Sequence, residues 1–117
     1  MIKMRTFIEE PMFTKKWKEL GFDDNDLYEL EKQILYNPEA GVMMEGTGGI
    51  RKLRFAFEGK GKSKSTRVCY VDFAVFEVVH LLTVFPKDLQ DNLTDMQKKI
   101  LKTKVKELKE YDRRHRP

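Results

Sequence analysis

Residues 46–55 read GTGGIRKLRF, and the pattern after the glycines decides the fold. A glycine run that cradles a nucleotide phosphate leads into a helix whose N-terminal amides face the anion. Here Arg51, Leu53, Phe55 and Phe57 alternate instead with Lys52, Arg54 and Ala56, the period of two of a half-buried strand. The run also lacks the spacing and the Lys-Ser/Thr ending of a P-loop, and no dinucleotide pattern comes after it. The glycines are read as a turn that needs positive φ. The strand after them sends Leu53 and Phe55 to a core, and on its other face presents Lys52 and Arg54, about 7 Å apart.

Upstream, Met4–Ile8 is a short apolar stretch that predicts an opening strand. Pro11 then sets a helix start, Phe13, Trp17 and Leu20 recur at helical spacing, and Gly21 stops the pattern. Asp23 or Asp24 caps a second helix carrying Leu27, Leu30 and Ile34, which ends at Asn37-Pro38. Downstream, Gly59–Thr66 (GKGKSKST) is a basic connection to a strand over Arg67–Phe73, with Val68 and Tyr70 on one side and Arg67, Cys69 and Val71 on the other. Val75–Phe85 is apolar enough to be a central strand buried on both faces. A polar turn over Asp88–Asn92 leads to Thr94 and Asp95, which start a terminal helix. Met96, Ile100, Leu101, Leu108 and Tyr111 gather on one half of that helix, and residues 113–117 are expected to fray. The order predicts an α+β two-layer domain, an antiparallel sheet with two N-terminal helices and a C-terminal helix packed on one face.

The 117 residues suffice for one domain, 1–117, with a real core, since 40% are apolar. A single cysteine, Cys69, excludes an intramolecular disulfide and a thiol-rich metal site and fits a reducing cytoplasm. No signal-peptide core precedes Glu9, and the Phe73–Phe85 tract is too short to span a bilayer. The expectation is a soluble cytoplasmic chain. Its net charge of +4 is segregated: residues 51–67 carry +6 and residues 94–117 carry +5, on a body that is otherwise acidic. That pattern is the footprint of a polyanionic partner.

Among groups able to do chemistry, His80 lies between Val79 and Leu81 and is read as a satisfied core histidine, and His115 lies in the tail. Ser63 and Ser65 have no base beside them, so acyl transfer and metal hydrolysis find little support. The remaining cluster is Lys52, Arg54 and Arg67, with Lys87 after the apolar strand. It fits a surface that neutralises phosphates, or a site that cleaves RNA when a 2′-OH attacks the adjacent phosphorus. In such cleavage an arginine stabilises the phosphorane bidentately, and a lysine crowded by cations has a lowered pKa that suits proton transfer.

The run NPEAGVMMEGTGGIRKLRF, the glycine–lysine loop after it, RVCY, the strand LLTVF, a lysine, and NLT before a helix together resemble the RelE/HigB superfamily of type II toxins, with the HigB branch the nearest. The resemblance spans about residues 6–109. It implies a ribosome-dependent mRNA endonuclease (mRNA interferase) that cuts the A-site codon, inhibits translation and is restrained by a cognate antitoxin. It implies no metal and no organic cofactor. By position it places the catalytic set on Lys52 (proton transfer), Arg54 and Arg67 (phosphorane) and Lys87 (leaving group or electrostatics). Arg51, Lys60, Lys62, Lys64 and Tyr70 would contact RNA or the ribosome, Tyr70 by stacking a base or else by packing in the core. A gyrase-targeting toxin on the same scaffold and a non-catalytic RNA-binding module stay open beside the nuclease.

Overall fold

Pro11 opens helix α1 (Pro11–Glu19), where its fixed φ suits the first turn and its missing N–H is not needed. Phe13 and Trp17, one turn apart, are its buried pair, and the chain leaves through Gly21 at φ 84°. Helix α2 (Asp24–Tyr36) begins at Asp23, whose carboxylate accepts from the Asp26 N–H while the Asp26 carboxylate accepts from the Asp23 N–H. This reciprocal box satisfies two orphan donors and places acid at the positive end of the helix. These elements come from a computed structural model that describes residues 4–55, 66–87, 89–90 and 92–116.

The strands are β1 (Thr6–Glu9), β2 (Val42–Met43), β3 (Ile50–Phe55), β4 (Thr66–Phe73) and β5 (Val78–Pro86), in the spatial order β1-β5-β4-β3-β2. The β3-β4-β5 meander is antiparallel, as expected, and β2 adds an antiparallel edge. The sheet is not antiparallel throughout, however, because β1 lies parallel to β5. A strand as apolar as β5 needs both of its hydrogen-bonding edges covered, and β1 supplies the second. β5 also starts later than the apolar run suggested: Ala74–Phe76 form a 3₁₀ turn, Glu77 takes φ 55°, and Val75 is exposed.

A second departure concerns the layers. Helices α1 and α2 cover one face, packing Phe13, Trp17, Phe22, Leu30 and Ile34 against Leu53, Phe55, Val68, Tyr70, Leu81 and Val84. The terminal helix α3 (Asp95–His115) covers the other, setting Leu101 and Val105 on Met44, Ile50, Cys69, Val71, Phe73 and Leu82. Helices therefore lie on both faces, because β4 and β5 present apolar side chains to both and each set must leave water.

The buried line of α3 runs through Leu101, Val105 and Asp112, with Leu108 half-buried, while Met96, Ile100 and Tyr111 are exposed rather than packed. Nor does the helix fray at 113. It is capped by Thr94 and Gln97 at its start, and at its end the Arg116 N–H reaches the Asp112 carbonyl while Arg113 and Arg114 pair with Glu110. Three basic residues in the last turn suit the negative end of the helix. Among the described residues no helix is long and apolar enough to cross a membrane.

Candidate nucleic-acid interface

The turn between β2 and β3 is built by Thr47, which is fully buried. Its hydroxyl donates to the Met44 carbonyl at 2.6 Å and accepts the Ile50 N–H at 3.1 Å. Gly46, Gly48 and Gly49 stand at φ 74°, 82° and 108°, a region that only glycine enters without strain. The glycines thus aim a strand, and their amides do not front a helix.

On that strand the alternation separates two sets. Leu53 and Phe55 enter the α1–α2 core, and Arg51 goes with them to the same side, where its guanidinium donates to the carbonyls of Gly41 at 2.8 Å and Glu39 at 3.3 Å. Tyr70 joins it there, fully buried, its hydroxyl donating to the Pro38 carbonyl and accepting the Gly41 N–H. Burial pushes the Tyr70 phenol up, against the Gly41 hydrogen bond and the nearby Arg51 charge. Tyr70 is a core residue and cannot stack a base. Arg51 likewise sits on the opposite side from Lys52, tying down the 38–41 loop. Of the two roles expected for Tyr70, burial leaves packing in the core, and strand parity sets the half-buried Arg51 apart from the Lys52 face. Lys60, Lys62 and Lys64 lie outside the described residues.

Lys52 and Arg54 point to the α3 side. In the β3–β4 register Arg54 stands directly opposite Arg67 and Lys52 opposite Cys69, and across β4–β5 Arg67 faces Phe85 and Cys69 faces Thr83. Opposed residues in an antiparallel pair are about 5 Å apart at Cα, and successive same-face rows about 7 Å. Three cations therefore share one small area. They are graded in depth: Arg67 is 8% exposed, Lys52 is half-buried and Arg54 is exposed. Lys87 comes directly after Pro86, the partner of Thr66, so it sits one residue past the strand end beside this row and is exposed.

Like charges directly opposite each other destabilise a sheet unless anionic groups offset them, and Arg54 and Arg67 are such a pair. Guanidinium groups carry their N–H donors in planar forks that match phosphate oxygens. The floor is Cys69, whose thiol is pushed up to about 12 by burial despite the Lys52 charge beside it. At ordinary pH it is a neutral, inert lining. Among the described residues no group of three or more His, Cys, Asp and Glu side chains is placed to hold a metal ion.

His80 is buried between two carboxylates that sequence reading did not connect to it. Its Nδ1 lies 3.3 Å from Glu10 Oε2 and its Nε2 2.7 Å from Asp112 Oδ2. Asp112 also accepts from Arg116, and Glu10 meets Lys104. Burial opposes the imidazolium charge, but the hydrogen bonds to Glu10 and Asp112 outweigh it, so His80 titrates above its ordinary range. Glu10 is held below the usual carboxylate range, first by its hydrogen bond to His80 and against its own burial. The partners lie 70 and 32 residues away in the chain, with no local pattern to reveal them. The cluster clamps α3 and the start of α1 to β5.

No protein-family model matches the chain. Among solved structures it is similar to an E. coli toxin RelE mutant in the free state, at 19% identity and a TM-score of 0.52, over 78% of this chain and 90% of that one. The likeness establishes a RelE-like fold.

Proposed function

We propose that the chain is the toxin of a type II toxin–antitoxin pair of the RelE/HigB kind, of its HigB branch. In this reading it is an endoribonuclease that cuts mRNA in the ribosomal A site. The observation that carries the proposal is the placement of Arg54 opposite Arg67, with Lys52 one row away on the same face. The RelE-like fold supports it. The substrate's own 2′-OH is the nucleophile, so the protein must move one proton, stabilise the phosphorane and assist the leaving 5′-oxygen. Lys52 serves the proton, Arg54 and Arg67 hold the equatorial oxygens, and Lys87 faces the leaving group. None of these steps uses a metal or an organic cofactor. The reading takes residues 1–117 as one cytoplasmic toxin domain whose partners are mRNA, the ribosome and a cognate antitoxin.

The test is brief expression without an antitoxin, then mapping of mRNA 5′ ends. Growth arrest with cuts in phase with codons is expected. Arg67→Ala and Lys52→Ala should each lower cleavage by about 100-fold or more, the scale of losing one charge-stabilising donor. Arrest and cutting unchanged in both variants would remove the proposed site. DNA damage without mRNA cuts would point to gyrase, and intact mRNA carrying bound protein to a non-catalytic binder.

A further inference from the structure

Helix α3 carries a second cationic feature that the sheet site does not use. With about 100° of rotation per residue, Lys98, Lys99, Lys102, Lys106 and Lys109 fall on one flank of the helix, roughly 100° from the buried line of Leu101, Val105 and Asp112. Lys98 is half-buried and the other four are exposed. Among the described residues none of the five has a carboxylate within ion-pair distance. Asp95 lies on the same flank one turn before Lys98 and Lys99 without pairing to either, and Glu110, beside the flank, is taken by Arg113 and Arg114, which hold its carboxyl down to about 2.

The direction of the row is fixed by the opposite flank. There Lys104 reaches Glu10, which lies at the β1 edge with its N–H on the Leu81 carbonyl. Since the sheet runs β1-β5-β4-β3-β2, the lysine row is turned toward the β3 side, which also bears Lys52 and Arg54. Val105, between the flanks, lies over Gly48 in the turn leading into β3.

We infer that this row docks the phosphate backbone of a double-stranded RNA segment, next to the strand that the sheet site cleaves. The inference rests on the nuclease reading for its choice of RNA. Three features select the occupant. The lysines sit on one rigid helix, in a patch about 16 Å long from Lys98 to Lys109 at the helical rise, which suits a stiff duplex more than a flexible single strand. It contains no aromatic side chain, and single-strand binders rely on stacking platforms. It contains no apolar anchor either, since Met96 and Ile100 occupy the other flank, so an acidic amphipathic helix would find charge but no seat. Spaced lysines reading a backbone without base contacts give shape-selective, salt-sensitive binding.

The test uses the full chain and a blunt, fluorescein-labelled 16-base-pair RNA duplex, with binding measured by anisotropy between 50 and 250 mM salt. The triple variant Lys102→Gln, Lys106→Gln, Lys109→Gln should bind at least tenfold more weakly. Its slope of log K against log salt should be shallower by about 2. Arg67→Ala should leave duplex binding within twofold of the parent, whatever becomes of cleavage. A triple variant with unchanged affinity and slope overturns the inference, as does equal binding of the parent to a B-form DNA duplex or to poly-glutamate of matched length. Because the duplex is not a cleavage substrate, a chain that cuts no mRNA can still pass this test, and one that cuts mRNA can fail it. A circular-dichroism melt of the triple variant within about 3 °C of the parent excludes misfolding as the cause.

Discussion

Replacing Asp112 by alanine removes one of two carboxylates from a buried imidazolium. Asp112 is fully buried and His80 is 2% exposed, so water cannot take over the lost contact. Breaking such a pair from one side costs about 3–5 kcal/mol, and the surviving Glu10 contact argues for about 3. For a domain of this size each kcal/mol moves the melting temperature by about 4 °C, which predicts a drop of about 12 °C at pH 6. The pH dependence has a definite sign. His80 titrates higher folded than unfolded, so its contribution is complete below the unfolded value near 6.5 and is lost as pH rises through the folded value. Glu10 is depressed, so its share is complete above about 4.5 and is lost as pH falls through its own folded value. Lys104 and Arg116 on α3 face the same cluster, whereas Asp72 of β4 is taken by Arg5. Once the pH has risen through the folded value of His80, the neutral ring gives Asp112 one hydrogen bond, and the deficit should shrink to about 1–2 kcal/mol, or about 6 °C. The assay is thermal unfolding by circular dichroism of parent and variant at pH 6 and pH 9, with Glu110→Ala as a surface control. If Asp112→Ala does not fold, Asp112→Asn carries the same pH signature with a smaller deficit. A deficit under about 3 °C at pH 6, or one that grows as the pH rises from 6 to 9, would refute the clamp.

Tyr70→Phe should lower stability in a urea melt by about 1–3 kcal/mol, because the Gly41 N–H and the Pro38 carbonyl both lose their partner in a dry site. Gly41→Ala is expected to do comparable harm, since a Cβ there would stand 3.0 Å from both the Arg51 Cβ and Tyr70 Cε1; a variant that melts like the parent would contradict this packing. Thr47→Val should loosen the turn that aims Lys52 and Arg54, costing about 1–3 kcal/mol, with an undiminished midpoint as the refuting result. Cys69 should resist iodoacetamide at pH 8 until the protein is unfolded, because its thiol is buried and titrates near 12; rapid labelling of the native chain would show an open floor.

The parts of the fold written locally were legible. Pro11, Gly21, the Asp23 cap, Asn37-Pro38 and the Thr94 cap each bound a helix within a residue or two, because capping is decided by neighbours in sequence. The alternation after Gly49 put Lys52 and Arg54 opposite Leu53 and Phe55, and the structure keeps that division. The illegible parts depend on pairing between distant segments. Nothing near Thr6 says that β1 will lie parallel to β5, and β2 has only two residues. Tyr70 and Arg51 are residue types common in RNA contacts, yet parity sends both to the helix-pair side. Apolar character marks Met96, Ile100 and Tyr111 as a stripe on α3, whereas the buried line continues through Asp112, a residue whose partner is invisible until the fold forms.

Apolar composition also hid the device that shapes the site floor. In His80-Leu81-Leu82-Thr83-Val84-Phe85 five residues are strand formers of similar character, so no alternation marks a face. The register shows why that matters: Tyr70 pairs with Leu81 but Cys69 pairs with Thr83, leaving Leu82 as the extra residue of a β-bulge. Above the bulge His80 and Leu82 face α3, while Leu81 enters the other core. Below it the parity inverts, so that Phe85 joins the α3-side cluster and Val84 the opposite core. One inserted residue thus lets a single strand satisfy α3 at one end and back the Arg67 row at the other, the kind of local re-aiming for which bulges are retained near functional sites. Without it, unbroken alternation would turn Thr83 and Phe85 toward α1 and α2 and set Val84 behind Arg67. The cations of the site belong to β3 and β4, but their surface depends on a strand that adds no side chain of its own to the cationic row.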